Sequence, residues 1–300
     1  MNITIPQKWQ DYELLDFGEG EKLERWGKYI LRRPDQNAVG AKSLDQAKWN
    51  DVHLHFHRDS KNLPDGQAGN EYWEVKKPAP EKWSVSYKIE GAILKFAIKP
   101  TKYKHTGLFP EQTVNWEWII EKISKRKQPH PDQKLKVLNL FAYTGGASVA
   151  AASAGADEVV HIDSSKGAIT LAKENQKLSK LKNTKIRFIQ EDVQKFVEKE
   201  IKRGNKYDAI ILDPPLYGRG PEGELWKIEQ HLPGLLDSCI KLLSDSPIFL
   251  LLNLYSGNSI SNQVIEQLDK AEQISLGLKS SSGNKILNCG DVLRTSFFTA

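Results

Sequence analysis

Three hundred residues, 39% hydrophobic and 27% charged, suit one large α/β domain or a smaller accessory domain beside one of ordinary size. The longest apolar stretch, 248–252, is far too short to span a bilayer, residues 1–16 lack a secretory apolar core, and two cysteines form neither a disulfide framework nor a metal cluster. The expectation is a cytoplasmic protein without a membrane partner, and a net charge of +5 permits a nucleic-acid partner without demanding one.

The first hundred residues carry Trp9, Trp26, Trp49, Trp73 and Trp83 among short runs broken by Gly, Pro and Asp. Residues 27–31, 52–57, 72–75 and 83–89 read as strands, Gly91 as a hairpin leading into 92–98, and 62–70 as a polar loop. This predicts a small, mainly β accessory domain over 1–100 and a second domain over 101–300. A helix follows over 111–127, with Val114, Trp118 and Ile119 at helical spacing, and Gln128-Pro129-His130-Pro131 ends it.

Strand and helix then alternate. The strands are 135–141, 158–163, 185–190, 208–213 and 247–254; the helices are 145–155, one ending at 178, 192–202, 225–243 and 260–268. Each strand is a short, nearly continuous apolar run, as parallel strands covered on both faces are. At the end, 273–279 and 294–299 are strand-like with only a loop between them, which favours antiparallel pairing. The expected fold is α/β: a doubly wound, mostly parallel, seven-stranded Rossmann-like sheet with an antiparallel last strand.

Two strand tips carry the chemistry. The first delivers Phe141-Ala-Tyr143-Thr144-Gly145-Gly146 to the ligand crevice of a doubly wound sheet. Glycine there admits close backbone approach, and the absence of Gly-x-Gly-x-x-Gly argues against a pyrophosphate cradle. Asp163 ends the next strand, where a carboxylate can accept both ribose hydroxyls; capping the next helix is the alternative, a task that Ser164 or Ser165 can take. Asp192 after the third strand can accept from an adenine amino group with Val193 against the ring, although it too can cap a helix, and Glu191 can substitute. Asp213-Pro214-Pro215 ends the fourth strand. Its prolines remove two amide donors and stiffen a carbonyl and a carboxylate at the rim, and Tyr217 can stack on a planar base. Together these tips read as the two halves of an S-adenosylmethionine methyltransferase site. The cofactor half comprises Phe141, Tyr143, Thr144, Gly145, Gly146, Asp163, Ser164, Asp192, Val193 and Asp213; the chemical half comprises Asp213, Pro214, Pro215 and Tyr217.

These residues carry a resemblance. The segments His105-Thr-Gly-Leu-Phe-Pro-Glu-Gln112, 139–148, Ile162-Asp163-Ser-Ser and Asp213-Pro-Pro-Leu-Tyr-Gly are similar to the S-adenosylmethionine-dependent methyltransferase family that includes bacterial large-subunit rRNA cytosine-C5 and guanine-N7 enzymes. Residues 213–231 and Phe17-Gly-Glu-Gly-Glu-Lys-Leu-Glu-Arg-Trp26 resemble a less characterised branch of it. The resemblance implies S-adenosylmethionine as cofactor, RNA as substrate, and Phe109 and Gln112 flanking the cofactor. One departure matters. Methylation at cytosine C5 needs a thiolate, which C5-methylating relatives carry just after the fifth strand; this chain has Asn253-Leu-Tyr255-Ser256-Gly257 there. Cys239 is expected as a buried helix residue and Cys289 in the loop before the last strand, so a nitrogen acceptor is favoured.

Other readings are methylation of a protein or small molecule, and a non-catalytic RNA-binding protein that retains the cofactor fold. His53, His55 and His57 share one strand face but lack a complementing carboxylate or cysteine in sequence, so no metal site is expected. Arg219, Glu222 and Glu224 suit either substrate contacts or a loop closing over the site.

Overall fold

The computed structural model describes residues 3–58, 71–89, 91–101, 104–129, 131–220, 222–255, 262–268 and 271–297. The expected loop at 62–70, Ser256 and Gly257, and the outer ends of the 260–268 helix and the 294–299 strand fall outside them. In chain order the first elements are β1 (Ile3–Thr4), β2 (Tyr12–Gly18), β3 (Glu21–Trp26), β4 (Tyr29–Pro34), α1 (Gln46–Asn50), β5 (Leu54–Arg58), β6 (Glu71–Val75), β7 (Trp83–Ile89) and β8 (Ala92–Ile98). A 3₁₀ turn (Pro110–Gln112) opens α2 (Thr113–Lys127), and the alternation follows: β9 (Lys136–Leu140), α3 (Gly146–Ser153), β10 (Glu158–Asp163), α4 (Lys166–Leu178), β11 (Lys185–Gln190), α5 (Val193–Lys202) and β12 (Ala209–Leu212). The chain closes with β13 (Tyr217–Arg219), β14 (Leu225–Lys227), α6 (Ile228–Lys241), β15 (Phe249–Tyr255), α7 (Asn262–Gln267), β16 (Glu272–Lys279) and β17 (Ile286–Ser296). Among the described residues, no helix is long and apolar enough to cross a membrane.

Packing divides the chain into two units. One comprises Met1–Thr4, Gln112–Leu276 and Gly290–Ala300; the other comprises Ile5–Glu111 and Gly277–Cys289. This differs from the expected division at 100/101 by the stretch 101–111 and by the segment 277–289 (the short N-terminal piece aside). Side-chain chemistry explains the second difference. Asp16, fully buried on β2, accepts from the Ser43 and Leu44 amides at 2.8 Å each and from Trp49 Nε1 at 3.0 Å, and pairs with Lys285 at 2.9 Å. Burial alone would raise this carboxyl; the four donors outweigh it and hold it at about 2.

In that unit β2-β3-β4-β5-β6 form one sheet, parallel only at β4–β5, and β7–β8 form an antiparallel hairpin. Strands β2 and β3 escaped the sequence reading because their charged residues look like surface. They are buried: Arg33 clasps Glu24 at 2.5 and 3.1 Å, Tyr12 donates to Glu24 at 2.9 Å, and Lys22 reaches Asp35 at 3.1 Å. The histidines also differ from expectation. His53 Nδ1 accepts from the Ile30 amide at 3.0 Å, whereas register sets Glu74 opposite His55 and brings it 2.8 Å from His57.

The other unit holds an eight-stranded sheet in the order β1-β16-β17-β15-β12-β9-β10-β11. The expected seven strands are all present, and β1 adds a parallel edge strand beside β16. The pairs β9–β10, β10–β11, β9–β12 and β12–β15 are parallel, and β17 runs antiparallel to β15. The continuous apolar runs split by period two. Leu138, Leu140, Ile210, Leu212, Leu250 and Leu252 face a core with α5 and α6, whereas Val137, Ala209, Ile211, Phe249 and Leu251 face one with α2 and α3. Two elements depart from expectation. Residues 225–227 pair with 217–219 as the β13–β14 hairpin before α6 begins, and β17 starts at Ile286, so Cys289 lies within a strand. Polar Asn288, Cys289, Gly290 and Asp291 hid that strand from a hydrophobic pattern.

Candidate active site

Register aligns the strand tips. Leu140 pairs with Ile162 and Leu212, Asp163 with Gln190, and Leu212 with Leu252. Phe141, Asp163, Asp213 and Asn253 therefore sit side by side at the carboxyl edge. The Asp213 amide donates to the Leu140 carbonyl at 3.3 Å and the Ala142 amide to the Ile162 carbonyl at 2.9 Å. Chain order reverses between β9 and β12, the switch point where open α/β sheets bind ligands.

The turn from β9 into α3 is tightly wound, with positive φ at Phe141 (55°), Tyr143 (48°) and Gly145 (82°). Left-handed backbone at a non-glycine residue stores roughly 1–3 kcal/mol and persists only where its surroundings over-determine it. Asp163 supplies that constraint, accepting from the Tyr143 and Ser165 amides at 2.7 Å each. Ser165 caps α4 through the Ala168 amide, which leaves partly exposed Asp163 with spare lone pairs. The carbonyl of half-buried Ser164 accepts from Gln190 Nε2 at 3.1 Å, and that of buried Thr144 accepts from Asn175 at 2.8 Å. A Cβ on Gly145 would lie 3.0 Å from the Ala172 Cβ. At Gly146 it would fall 2.4 Å from the Trp116 ring, so the space at 146 is taken by the chain's own indole. Beneath the turn, buried Ser148 bridges Asn139 at 2.8 Å and His161 Nδ1 at 3.0 Å; burial lowers His161 to about 3, so the ring is neutral.

Asp192 takes the capping geometry, with Oδ1 accepting from the Lys195 amide at 3.0 Å, and Oδ2 would lie 3.1 Å from a Cβ on Gly220. Val193 is buried in the core behind it, and Glu191 pairs with Lys199. Of the two residues named by resemblance, Gln112 opens α2 and accepts from Asn115 Nδ2 at 2.7 Å. Phe109 belongs to the other unit, where its ring lies 5.7 Å from that of His105.

On the chemical side, Asp213 accepts from Asn253 Nδ2 at 2.7 Å and from the Tyr255 hydroxyl at 3.3 Å. Burial pushes its carboxyl up to about 6; the two donors offset part of the rise, and the Asp163 charge adds to it. Burial raises Asp163 as well, against its two amide donors. Among the described residues neither carboxylate has an ion-pair partner. S-adenosylmethionine is cationic at its sulfonium and at its ammonium, a charge that two carboxylates at adjacent strand tips suit.

Three further residues shape the site. Asn253 and Tyr255 were noticed only for the cysteine they replace, although a lone polar residue inside the apolar run 248–254 was a usable signal. Trp226, 5% exposed, donates from Nε1 to the Pro215 carbonyl at 2.7 Å and lays its ring 4.8 Å from that of Phe141. It joins the two halves of the site. Pro214 is buried, whereas Tyr217 is 56% exposed on β13. Cys239 is fully buried in α6 with its thiol pushed up, and burial also raises Cys289, which belongs to the other unit.

Comparison with known proteins agrees with this geometry. The family model described as "S-adenosylmethionine-dependent methyltransferase" matches residues 57–287. A solved S-adenosylmethionine-dependent methyltransferase from Agrobacterium tumefaciens is 34% identical and superposes with a TM-score of 0.86, covering 99% of this chain and 94% of that one. Ribosomal RNA large subunit methyltransferase K/L of Shewanella frigidimarina is 34% identical over 188 residues, 62% of this chain and 24% of that protein. Ribosomal RNA large subunit methyltransferase I of Tolumonas auensis is 49% identical over 82 residues, 27% of this chain and 21% of that protein. The chain thus spans about a quarter or less of the length of the curated relatives it matches. The family match and the strand-tip geometry have one conclusion: the chain belongs to the S-adenosylmethionine-dependent methyltransferase family.

Proposed function

We propose that this protein methylates a nitrogen of a base in ribosomal RNA, acting in the cytoplasm, with residues 101–300 as the methyltransferase domain and 1–100 as an accessory domain. The observation that carries the reading is the Asp213 carboxylate, held by Asn253 and Tyr255 beside the strained 141–145 turn at the β9/β12 switch point. S-adenosylmethionine supplies a methyl group already activated on a sulfonium. Asp163 binds its ribose, Asp192 and Val193 meet its adenine, and the 141–146 backbone with Ser164 and Gln112 encloses the rest. Asp213, ionised above about pH 6, accepts a hydrogen from an exocyclic amine and aims the nitrogen lone pair; the Pro214 carbonyl is the second acceptor. Pro215 holds the tip through Trp226, and Tyr217 stacks on a base of the substrate. Catalysis is then chiefly orientation.

The nitrogen preference is supported by the cysteines. A C5 route needs a thiolate, and burial raises both thiols. The rRNA assignment is supported by the names of the relatives. The test is tritiated-methyl transfer to rRNA extracted from a strain lacking the gene. Label in rRNA that disappears with Asp213→Ala supports the reading; label in protein, or none in any RNA, overturns it.

A further inference from the structure

The β13–β14 hairpin follows the Asp213 tip directly, and its two faces differ. Tyr217 pairs with Lys227, Gly218 with Trp226, and Arg219 with Leu225. Alternation therefore sends Gly218 and Trp226 to one side and Tyr217, Arg219, Leu225 and Lys227 to the other. The inner pair is anchored: a Cβ on Gly218 would lie 3.4 Å from Pro215, and Trp226 is bonded to the Pro215 carbonyl. The turn is anchored as well, because Lys195 of α5 pairs with Glu222 and Glu224 at 2.6 Å each. All four residues of the outer face are exposed, Tyr217 by 56% and Leu225 by 42%. Among the described residues, the Arg219 guanidinium and the Lys227 ammonium have no hydrogen-bond or ion-pair partner.

An aromatic ring, an aliphatic side chain and two unpaired cations on one small, anchored face match single-stranded nucleic acid. Bases offer π-faces to the ring and phosphates offer charge to the cations. Lys195 offsets one of the two negative charges that Glu222 and Glu224 bring to the turn, and the Arg219 and Lys227 cations of the outer face outnumber the one that remains. Several basic residues elsewhere are less available: Lys125 pairs with Glu121, Lys127 and Lys134 with Asp157, and Lys185 and Arg187 with Glu158. We propose that the outer face of this hairpin (Tyr217, Arg219, Leu225 and Lys227) is a docking platform for an unpaired RNA segment flanking the base to be methylated. The proposal rests on the RNA reading above and adds to it the strand state of the substrate and the residues that select it. The anchored hairpin then fixes the distance from the bound strand to Asp213, so only a nucleotide adjoining the stacked base reaches the acceptor.

The experiment measures binding of a fluorescein-labelled 20-nucleotide single-stranded RNA, and of its duplex, to the full chain as a function of salt. The expected result is preference for the single strand. Arg219→Ala and Lys227→Ala each weaken binding and lower the salt slope by about 1. Tyr217→Ala weakens it by roughly fivefold or more with the slope unchanged. Lys125→Ala leaves it unaltered, and all four variants keep wild-type S-adenosylhomocysteine affinity by calorimetry, which shows that they are folded. Wild-type RNA binding by all three hairpin variants overturns the platform while sparing the RNA reading. Absence of binding by the unmodified protein overturns both, as does methyl label entering a protein at rates that the hairpin substitutions reduce.

Discussion

The two units bury polar groups to different ends. In the unit of Ile5–Glu111 and Gly277–Cys289, Glu24 is matched with Arg33, Lys22 with Asp35, and Asp16 with Lys285 and three N–H donors, whereas burial raises Glu111 to about 7. In the unit of the eight-stranded sheet, Asp163 and Asp213 at the strand tips have no ion-pair partner among the described residues, and burial raises both. Matched charges hold an architecture together. Two carboxylates raised by burial at adjacent strand tips mark a candidate ligand site.

Substitutions can break this contrast in graded fashion. The largest effect is expected from Glu24→Ala, which strands a buried guanidinium and costs about 3–5 kcal/mol; the urea midpoint should drop while methyl transfer per folded molecule persists. Loss of transfer at full stability would put Glu24 in the chemistry instead. Asp213→Ala should do the reverse, lowering the rate about a hundredfold or more through lost orientation with no loss of thermal stability. Ser148→Ala leaves Asn139 and His161 unsatisfied and should destabilise by about 1–3 kcal/mol in denaturant unfolding; a neutral result would mean that water replaces the hydroxyl. Trp226→Phe keeps the ring on Phe141 but removes the donor to Pro215. Turnover should fall by about two- to tenfold, the size of one hydrogen bond, with S-adenosylhomocysteine affinity unchanged, whereas Trp226→Leu should weaken both.

The smallest effects are pH dependences of opposite sign. Asp16, held down at about 2 from 3.8, contributes stability that is complete above about pH 4 and lost as pH falls towards 2. Asp213, raised to about 6 from 3.8, opposes it: stability declines as pH rises between those values. Affinity for S-adenosylmethionine should therefore climb as Asp213 ionises and level off above about pH 6, whereas S-adenosylhomocysteine, without the sulfonium charge, should climb less. Calorimetry at several pH values, repeated with Asp213→Asn, reads the difference. Equal pH dependence for the two ligands would remove Asp213 from the neighbourhood of the sulfur.

Local pattern was sufficient where apolar residues dominate. The strands 158–163 and 185–190 coincide with β10 and β11, because Val159, Val160 and Ile162, and Ile186, Phe188 and Ile189, are β-branched or aromatic residues at strand spacing between turn residues. The strand tips followed, since Asp163 and Asp213-Pro-Pro end such runs. Where polar residues are buried, local pattern was silent. Strands β2 and β3, the β13–β14 hairpin and the approach to β17 depend on partners outside their own segments: Arg33 for Glu24, Pro215 for Trp226, Asp16 for Lys285.

By itself, then, the sequence determined the alternation, the class of sheet and the two acidic strand ends, because apolar periodicity and proline stiffness act within a few residues. Tertiary structure alone decided that Asn253 and Tyr255 hold Asp213, that Trp226 ties Pro215 to Phe141, that Trp116 occupies the space at Gly146, and which face of the hairpin is exposed. The physical reason is that a buried hydrogen bond or a close ring contact depends on two surfaces meeting. Nothing in either segment alone records where the other will be.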